Sequence, residues 1–359
     1  MSGNEKTINI DFLLSGCSTK CRHCYVAGGP GPIMPAEDAL RCIERLDALA
    51  AFLPCEVSFT LDHEPMNHPD LKRILFAAAE TGHIQNYHHG MTTGIALMRR
   101  EDRAELLQAY LDCGYRHFGV TIHGSASHHD ELVRRRGAYK AAVAAAEFFK
   151  RGGAELELSL MLNRYFPEDR DSISELIDHL RPHHVWFALP IFTPHDRMMD
   201  YEPYRASLPD ILSMGESLSL WRADAAEFLE NAGTLTVAAA AARLRKGPAL
   251  RELFDAPQNE LYLSLHADCV LYVGNSGAET RRIGDLRSID LRETAETILG
   301  LPGNRDYGAF YNPNALPETD ALIQALEALP QDLVYGDFES ALYRGLSSMG
   351  VRTRIAGTP

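Results

Sequence analysis

The stretch TINIDFLLSGCSTKCRHCY, residues 7–25, runs from an alternating apolar segment into a loop that holds three cysteines. Its first half places an apolar side chain at every second position, which predicts a β-strand with one buried face. Cys17, Cys21 and Cys24 follow within eight residues. Three thiols cannot all pair in one disulfide, but thiolates this close together can bind one soft metal centre. The stretch therefore predicts a strand that leads directly into a metal-binding loop.

Two kinds of metal centre are compatible with these thiols. An iron–sulfur cubane normally takes one cysteine on each iron, so three cysteines would leave one iron open for a substrate or cofactor. The alternative is a zinc site with His23 as the fourth ligand. Zinc sites of this kind usually have a second CxxC pair further along the chain, and this sequence has none. A third possibility is an iron–sulfur protein without catalytic activity.

Predicted strands and helices alternate from residue 7 to about residue 190. Strands at this spacing, each followed by a helix, indicate a parallel sheet with right-handed crossovers. In a parallel barrel, chemistry takes place where the strands end and the loops begin. The cysteine loop follows the first strand and is therefore on the catalytic side. The predicted strands are 7–14, 57–61, 86–92, 118–122, 156–162 and 185–189.

The composition excludes several classes of protein. A formal net charge of −14 and an isoelectric point near 5.5 argue against nucleic acid or an anionic membrane as the main partner. No run of 18 apolar residues appears, so no membrane-spanning segment is expected. The start of the chain lacks the layout of a secretion signal, and the seven cysteines, an odd number, fit a reducing cytoplasm. We expect a cytoplasmic enzyme.

The chain is long enough for one large α/β unit and an appended smaller one, with 359 residues of which 45% are apolar. We expect a barrel over residues 1–195, a helical connector over 196–257 and a capping region over 258–359.

The CxxxCxxC spacing of Cys17, Cys21 and Cys24 resembles the cluster loop of the radical S-adenosylmethionine (radical SAM) superfamily. The resemblance implies that these cysteines hold a [4Fe-4S] cluster whose fourth iron binds the amino and carboxylate groups of S-adenosylmethionine (SAM). It also implies an α/β fold, a partial (β/α)6 TIM-like barrel with a smaller α+β C-terminal extension. His23 occupies a position that is usually aromatic in the family and Tyr25 follows the third cysteine, so both are implied to contact the cofactor.

A second motif, Leu-Asp-His-Glu-Pro at residues 61–65, resembles the family's Ser-Gly-Gly-Glu-Pro turn. The resemblance implies that Glu64 accepts a charge-assisted hydrogen bond from the ammonium group of SAM. Asp62 and His63 replace the two glycines, which let the backbone approach a ligand closely. We expect Asp62 to contact the cofactor and His63 to act as an acid or base. The alternative is a rebuilt turn with no functional consequence.

Two further strand ends resemble family motifs. Met-Thr-Thr-Gly at residues 91–94 is similar to the Thr-Asn-Gly turn, with Thr93 in the asparagine position. Val-Thr-Ile-His-Gly at residues 120–124 is similar to the Ser-(Leu/Ile)-Asp-Gly segment, whose hydroxyl lies near SAM. Thr93 and Thr121 are thus implied cofactor contacts. His123 replaces an acidic residue and is expected to be catalytic.

Arg136 and Asn163 complete the implied SAM site. His129-Asp130 and Arg136-Gly137 match a His-Asp…Arg-Gly pattern, which implies that Arg136 binds the SAM carboxylate with two hydrogen bonds. The alternative for Arg136 is a solvated charge at a helix start. Asn163, after the fifth strand, is a candidate for a ribose hydroxyl, and its alternative is a hydrogen bond within its own loop.

The C-terminal region predicts a hairpin, with strands over 259–265 and 270–273. Together with the following Arg-Ile-Gly-Asp-Leu segment and helix 291–299, it resembles the SPASM or twitch extension of radical SAM enzymes. Such extensions hold auxiliary clusters with several cysteines, whereas only Cys269 is present here. We therefore expect a cluster-free extension that caps the barrel.

The resemblance implies an enzyme that cleaves SAM reductively and forms a 5′-deoxyadenosyl radical, which abstracts hydrogen from the substrate. The expected partners are a small molecule from specialised metabolism and an electron donor such as flavodoxin or ferredoxin. The alternatives are a peptide substrate, a non-standard cleavage of SAM with group transfer, and the zinc-dependent enzyme described above.

Overall fold

Strands and helices alternate along the first half of the chain, as their hydrophobic periods predict. The computed structural model describes residues 6–26, 28–84, 90–193, 196–222, 224–247, 250, 253, 259–276, 279–304 and 316–351. Residues 86–89 of the predicted third strand lie outside this part of the chain. The first six strands are β1 (Thr7–Phe12), β2 (Glu56–Leu61), β3 (Gly90–Thr92), β4 (His117–Ile122), β5 (Glu155–Met161) and β6 (His184–Ala188).

These six strands pair only in parallel with one another. β3, β4, β5 and β6 form a four-stranded parallel sheet in chain order, and β1 pairs in parallel with β2. An isolated parallel bridge joins Phe59 of β2 to Ile84, just before β3. The strand order and the crossover helices are those of a partial (β/α)6 barrel, which confirms the predicted fold class.

Helices cover the outer side of the sheets because each has one apolar face. α6 is rich in alanine, and its buried residues Ala142, Ala145, Ala146 and Phe149 recur at helical spacing. Its small side chains let the helix lie close to β4 and β5. The helices of this half are α1 (Ala36–Ala50), α2 (Leu71–Glu80), α3 (Ile95–Arg99), α4 (Arg103–Asp112), α5 (Ala126–Leu132), α6 (Ala138–Arg151) and α7 (Phe166–Leu180).

The predicted C-terminal hairpin is present and continues the sheet of the barrel. β7 (Glu260–Leu265) pairs with β8 (Val270–Val273) antiparallel, and β9 (Arg281–Asp285) pairs with β8. β7 also pairs in parallel with β1, which gives a five-stranded sheet in the order β2-β1-β7-β8-β9. Phe12, Leu61 and Leu265 lie opposite one another in register, so β1, β2 and β7 end at one common edge.

The remaining helices are α8 (Asp196–Tyr201), α9 (Leu208–Ser213), α10 (Gly215–Trp221), α11 (Ala225–Thr234), α12 (Val237–Lys246), α13 (Leu291–Gly300), α14 (Thr319–Glu327) and α15 (Phe338–Ser348). Four of them, α8, α12, α14 and α15, form a second apolar core, whereas α9, α10, α11 and α13 pack on the main core. Val237, Leu322, Leu342 and Leu346 are among the fully buried members of the second core. Among the described residues, no helix is both long enough and apolar enough to cross a membrane.

Candidate active site

The cysteine loop leaves the carboxyl end of β1 and folds back on a glycine-rich segment. The Cys17 N–H donates to the carbonyl oxygen of Gly29 over 2.8 Å, and the Gly28 N–H donates to Cys24 Sγ over 3.0 Å. The Cys24 N–H donates to the Cys21 carbonyl oxygen over 3.3 Å. These three hydrogen bonds, each donated by a backbone N–H, fix the conformation of the loop.

The three thiols lie close enough to influence one another. The pKa of Cys21 is raised to about 12, chiefly by burial and to a smaller extent by the neighbouring Cys24 and Cys17 thiols. The Thr19 hydroxyl opposes this shift, because its oxygen lies 3.3 Å from Cys17 Sγ and 3.2 Å from Cys21 Sγ. The Thr19 hydroxyl therefore lies between the Cys17 and Cys21 sulfurs, and the Cys24 thiol is close enough to raise the pKa of both.

The described residues contain one group of side chains whose spacing matches that of ligands around a single metal ion. In the described residues, three possible ligand atoms lie within 4.8 Å of one another only at His128, Glu168 and Asp169. In that group His128 already contacts both carboxylates, at 2.8 Å from Asp169 and 3.2 Å from Glu168. A tetrahedral zinc ion would need its ligands as close as that. The cysteines and His23 do not meet this condition.

A cavity of about 180 Å³, here called the first cavity, lies beside the cysteine loop. Its lining comes from the loop and from the carboxyl ends of β2, β3 and β4, where a parallel barrel carries its chemistry. Cys17, Cys21, Glu64, Thr93 and Thr121 are among the lining residues. The structure therefore brings together residues from four of the motifs identified in the sequence.

Glu64 is fully buried in the wall of the first cavity. Its Oε1 accepts from the Thr92 hydroxyl over 2.7 Å. Its Oε2 accepts from the Thr93 N–H over 2.8 Å and from the Thr93 hydroxyl over 2.7 Å. Burial raises the pKa of Glu64, and the hydrogen bonds from Thr93 and Thr92 oppose this. In the described part of the chain no cation pairs with this carboxylate, which leaves it available for a positively charged ligand.

Three histidine rings form another wall of the first cavity. The rings of His23 and His123 are 4.5 Å apart, and those of His123 and His129 are 5.1 Å apart. Burial lowers the pKa of His23 and of His129 to about 4 and the pKa of His123 well below its ordinary value. All three are neutral near physiological pH. The backbone N–H of His123 donates to His129 Nδ1 over 3.3 Å, so the ring proton of neutral His129 is on Nε2.

His63 lies between the first cavity and a second one. Its backbone φ of 63° is in the left-handed region, which costs energy for a residue other than glycine. Its Nε2 lies 2.9 Å from the hydroxyl oxygen of Ser276 in the segment after β8. The second cavity, about 370 Å³, is lined by the cysteine loop, the glycine-rich segment and His266 of the hairpin. His63 lines both cavities.

The other predicted site residues lie away from the first cavity. Asn163 is buried and donates to the carbonyl oxygens of His123 (2.8 Å) and Met161 (3.0 Å), while its Oδ1 accepts from the Tyr165 N–H (2.9 Å). Asn163 therefore makes hydrogen bonds within its own loop, the alternative to a contact with a ribose hydroxyl. Arg136 is exposed at the start of α6.

Tyr25 and Asp62 are likewise held through their backbones. The Tyr25 carbonyl oxygen accepts from the Thr193 hydroxyl, and the Asp62 N–H donates to the Phe12 carbonyl oxygen. Neither residue is among those that line the first cavity.

Sequence reasoning missed several residues of the site. Thr19, Thr92 and His129 line the first cavity and lie within motifs of the sequence, but the motifs assign no role to these three residues. Arg135, the neighbour of Arg136, donates to the carbonyl oxygen of Ser18 in the cysteine loop. The repeated Thr-Thr at residues 92–93 was a usable signal. No local signal indicated the contact between His63 and Ser276, which are 213 residues apart.

Solved structures with a similar fold support the assignment of the architecture. One is "Native anSMEcpe with bound AdoMet and Kp18Cys peptide", with 13% sequence identity, a TM-score of 0.52, and coverage of 81% of this chain and 80% of that one. Another is SuiB from Streptococcus suis bound to the precursor peptide SuiA, with 12% identity, a TM-score of 0.54, and coverage of 93% and 75%. At these identities the likeness shows the fold alone.

The sequence itself identifies the family. No curated protein matches the chain. Residues 13–200, more than half of the chain, match the Radical SAM superfamily, and this range contains the cysteine loop and every lining residue of the first cavity. The three sulfurs suit an iron–sulfur cluster, and the unpaired charge of Glu64 suits a cationic ligand. The chain therefore belongs to the radical SAM superfamily and is an enzyme whose cofactors are a [4Fe-4S] cluster and S-adenosylmethionine.

Proposed function

We propose that Cys17, Cys21 and Cys24 hold the cluster, that SAM binds in the first cavity, and that the enzyme abstracts hydrogen from a small molecule of specialised metabolism. The observation that carries this proposal is Glu64. It is a fully buried carboxylate beside the cysteine loop, and its hydrogen bonds come only from neutral groups of the described chain. A buried charge requires a partner of opposite sign, and the ammonium group of SAM supplies one.

Six residues that line the first cavity have a task in this proposal. When bound, and with the cluster reduced by an electron donor such as flavodoxin or ferredoxin, the two cofactors would supply a 5′-deoxyadenosyl radical and release methionine. Thr92 and Thr93 fix the carboxylate of Glu64, so its position does not depend on the ligand. His23, half-buried, and His123, buried, are neutral, so they add hydrogen-bonding groups without repelling a sulfonium. Thr121 adds a hydroxyl at the end of β4.

The substrate site in this proposal is the second cavity. It adjoins the first cavity at His63, so a molecule bound there would have one end near the radical source. His63 lines both cavities, and we expect it to act on the substrate as an acid or base. A peptide substrate is the second candidate, because anSMEcpe and SuiB are each described with a bound peptide. Cleavage of a different carbon–sulfur bond of SAM, with group transfer, is a further alternative.

Anaerobic reconstitution with iron and sulfide tests the cluster assignment. We expect about four irons per chain, visible absorption typical of an iron–sulfur cluster, and, after reduction with SAM present, 5′-deoxyadenosine and methionine in mass spectra. Cys21→Ser should abolish all three signals, whereas the matched control Cys55→Ser, outside the loop, should retain them. Bound zinc with no visible absorption would refute the proposal. A SAM product other than 5′-deoxyadenosine would favour group transfer.

A further inference from the structure

Thr19 lies inside the cysteine loop, two residues from Cys17 and two from Cys21. Its side chain is buried, with 3% of the residue exposed. Its hydroxyl oxygen is 3.3 Å from Cys17 Sγ and 3.2 Å from Cys21 Sγ. In the part of the chain that the structure describes, Thr19 Oγ1 has no other hydrogen-bond partner. The hydroxyl is therefore committed to two of the three sulfurs proposed as cluster ligands.

The chemistry of these sulfurs decides the direction of the hydrogen bond. A cysteine that binds iron does so as a thiolate, which has no proton to donate. A threonine hydroxyl has one proton and must then be the donor, to one sulfur or shared between the two. Ser18, the preceding residue, donates its own hydroxyl proton to Asn67 Oδ1 over 2.9 Å instead. Thr19 is thus the side chain that directs a donor at the ligand sulfurs.

We propose that Thr19 is a positioning residue whose hydroxyl raises the reduction potential of the cluster by donating a hydrogen bond to a ligand sulfur. Reduction adds one electron from an external reductant to the cluster, with no proton transferred, so negative charge on the sulfurs increases. A donor that contacts a sulfur stabilises the reduced form more than the oxidised form. The potential is therefore higher with the hydroxyl than without it. The inference rests on the proposed assignment of the three cysteines.

The Gly28 N–H makes a similar contact with Cys24 Sγ, at 3.0 Å. That donor belongs to the backbone and is present whatever residue follows Ala27, except proline. At Cys17 and Cys21, hydrogen bonds from the backbone N–H groups of Thr19 and Cys21 also lower the pKa of the thiols, and the Thr19 hydroxyl is the side-chain donor that adds to them. A substitution at position 19 therefore changes one donor and leaves the backbone donors in place, which makes the effect measurable.

Potentiometric titration of the reconstituted protein, followed by electron paramagnetic resonance, tests the inference. Thr19→Val keeps the shape and removes the donor, so the equilibrium constant for one-electron reduction should fall about tenfold, which corresponds to a potential lower by about 59 mV. Thr19→Ala removes the donor without placing a new methyl group against the sulfurs and should shift the potential in the same direction. Thr19→Ser keeps the hydroxyl and should retain the wild-type potential. Ser18→Ala removes a neighbouring hydroxyl that does not contact sulfur and serves as the matched control.

The outcomes separate this inference from the proposed function. Iron and sulfide content is measured first, and a wild-type protein that takes up no cluster refutes the cysteine assignment. With a full cluster, an unchanged potential in Thr19→Ala or Thr19→Val overturns the role of Thr19 and leaves the proposed function intact. A potential that falls as far in Thr19→Ser as in Thr19→Val also overturns it, because packing and not the hydroxyl would then set the potential. The inference is supported if the potential is lower in Thr19→Ala and Thr19→Val and stays at the wild-type value in Thr19→Ser and Ser18→Ala.

Discussion

Glu64 is a buried carboxyl group in the wall of the first cavity. Burial raises its pKa above the ordinary value of 4.5, and the hydrogen bonds from Thr93 and Thr92 oppose this shift. A carboxyl group with a raised pKa in the folded protein stabilises the fold below its unfolded pKa. That stabilisation is lost as the pH rises through the raised value. Above pH 4.5 the buried Glu64 carboxylate therefore lowers the stability of the cofactor-free protein, and a bound cationic ligand would offset this loss.

Glu64→Gln should separate stability from binding. The amide has no charge at any pH, so the cofactor-free variant should melt at a higher temperature than the wild type at neutral pH. The difference should shrink as the pH falls towards 4.5. Loss of the charge-assisted hydrogen bond should weaken SAM binding about 10- to 100-fold in equilibrium dialysis. Glu101→Gln, at an exposed position, is the control that should change neither quantity. Unchanged SAM affinity in Glu64→Gln would show that the ammonium binds elsewhere.

His63 offers a second test at the scale of one residue. Its φ of 63° suits glycine, so His63→Gly should be more stable than His63→Ala by about 1 kcal/mol in urea unfolding. At an ordinary helical position the order would be reversed. Ser276→Ala removes the hydrogen-bond partner but leaves the backbone unchanged, and it measures that contact separately.

Activity of His63→Gly then decides between the two readings of the turn. If His63 has a role in the active site, the stable glycine variant should lose substrate-dependent hydrogen abstraction while its SAM affinity stays within about twofold of the wild type. Wild-type turnover in the glycine variant would mean that the turn was rebuilt without functional consequence.

At the scale of elements, local patterns predicted the strands well but not all of their partners. β1, β2, β4, β5 and β6 occur where alternating or continuous apolar runs predicted them, because a buried strand needs such a pattern. Of the strand predicted over 86–92, the structure describes the end, Gly90–Thr92. The hairpin of β7 and β8 was also predicted. Its parallel pairing with β1 was not, because that contact joins Ile8 to Leu261 and no local pattern encodes a partner so distant. For the same reason Ser276 was missed, and so was the second cavity that it adjoins.

Glu202 joins three elements of the C-terminal half. Its Oε1 accepts from Arg205 Nε over 2.8 Å, and its Oε2 accepts from the Tyr335 hydroxyl over 2.8 Å and from Arg344 Nε over 3.2 Å. Arg205 is buried, and its guanidinium lies 3.9 Å from the centre of the Tyr335 ring. This network connects the turn after α8 to the segment before α15 and to α15 itself. Glu202 is the carboxylate that faces both guanidinium groups of this network.

Glu202→Gln should therefore destabilise the protein substantially. The change leaves the buried Arg205 without its counter-charge, and breaking a buried pair in this way costs about 3 kcal/mol. The matched control is Glu147→Gln on the surface, where Glu147 contacts Arg151 and His179 and the expected loss is at most about 1 kcal/mol. Urea unfolding of both variants measures the difference. Equal losses would mean that the network contributes no more than a surface pair.

At the scale of the whole molecule, both halves of the chain contribute to the site. The first cavity is built from the barrel, whereas the second needs His266, Ala267 and Ser276 from the C-terminal hairpin. β1 pairs with β2 on one side and with β7 on the other, so the strand that leads into the cysteine loop has a neighbour on both edges. The C-terminal region therefore supports the cysteine loop as well as enclosing the proposed substrate site.

A chain that ends at residue 195, the predicted limit of the barrel, should for this reason fail to form a stable protein. Without β7, the edge of β1 is unpaired and Ile8, Ile10 and Phe12 lose their buried partners across the strand pair. Each leucine that β7 contributes to the core is worth roughly 2 kcal/mol, and an open strand edge promotes aggregation. Light scattering should show aggregates, and iron uptake on reconstitution should be lost. A chain that ends at Val351 is the control and should retain both its solubility and its iron. A monomeric 1–195 fragment that binds iron and melts cooperatively would show that the barrel is an independent domain and that β7 is not needed to hold the cysteine loop.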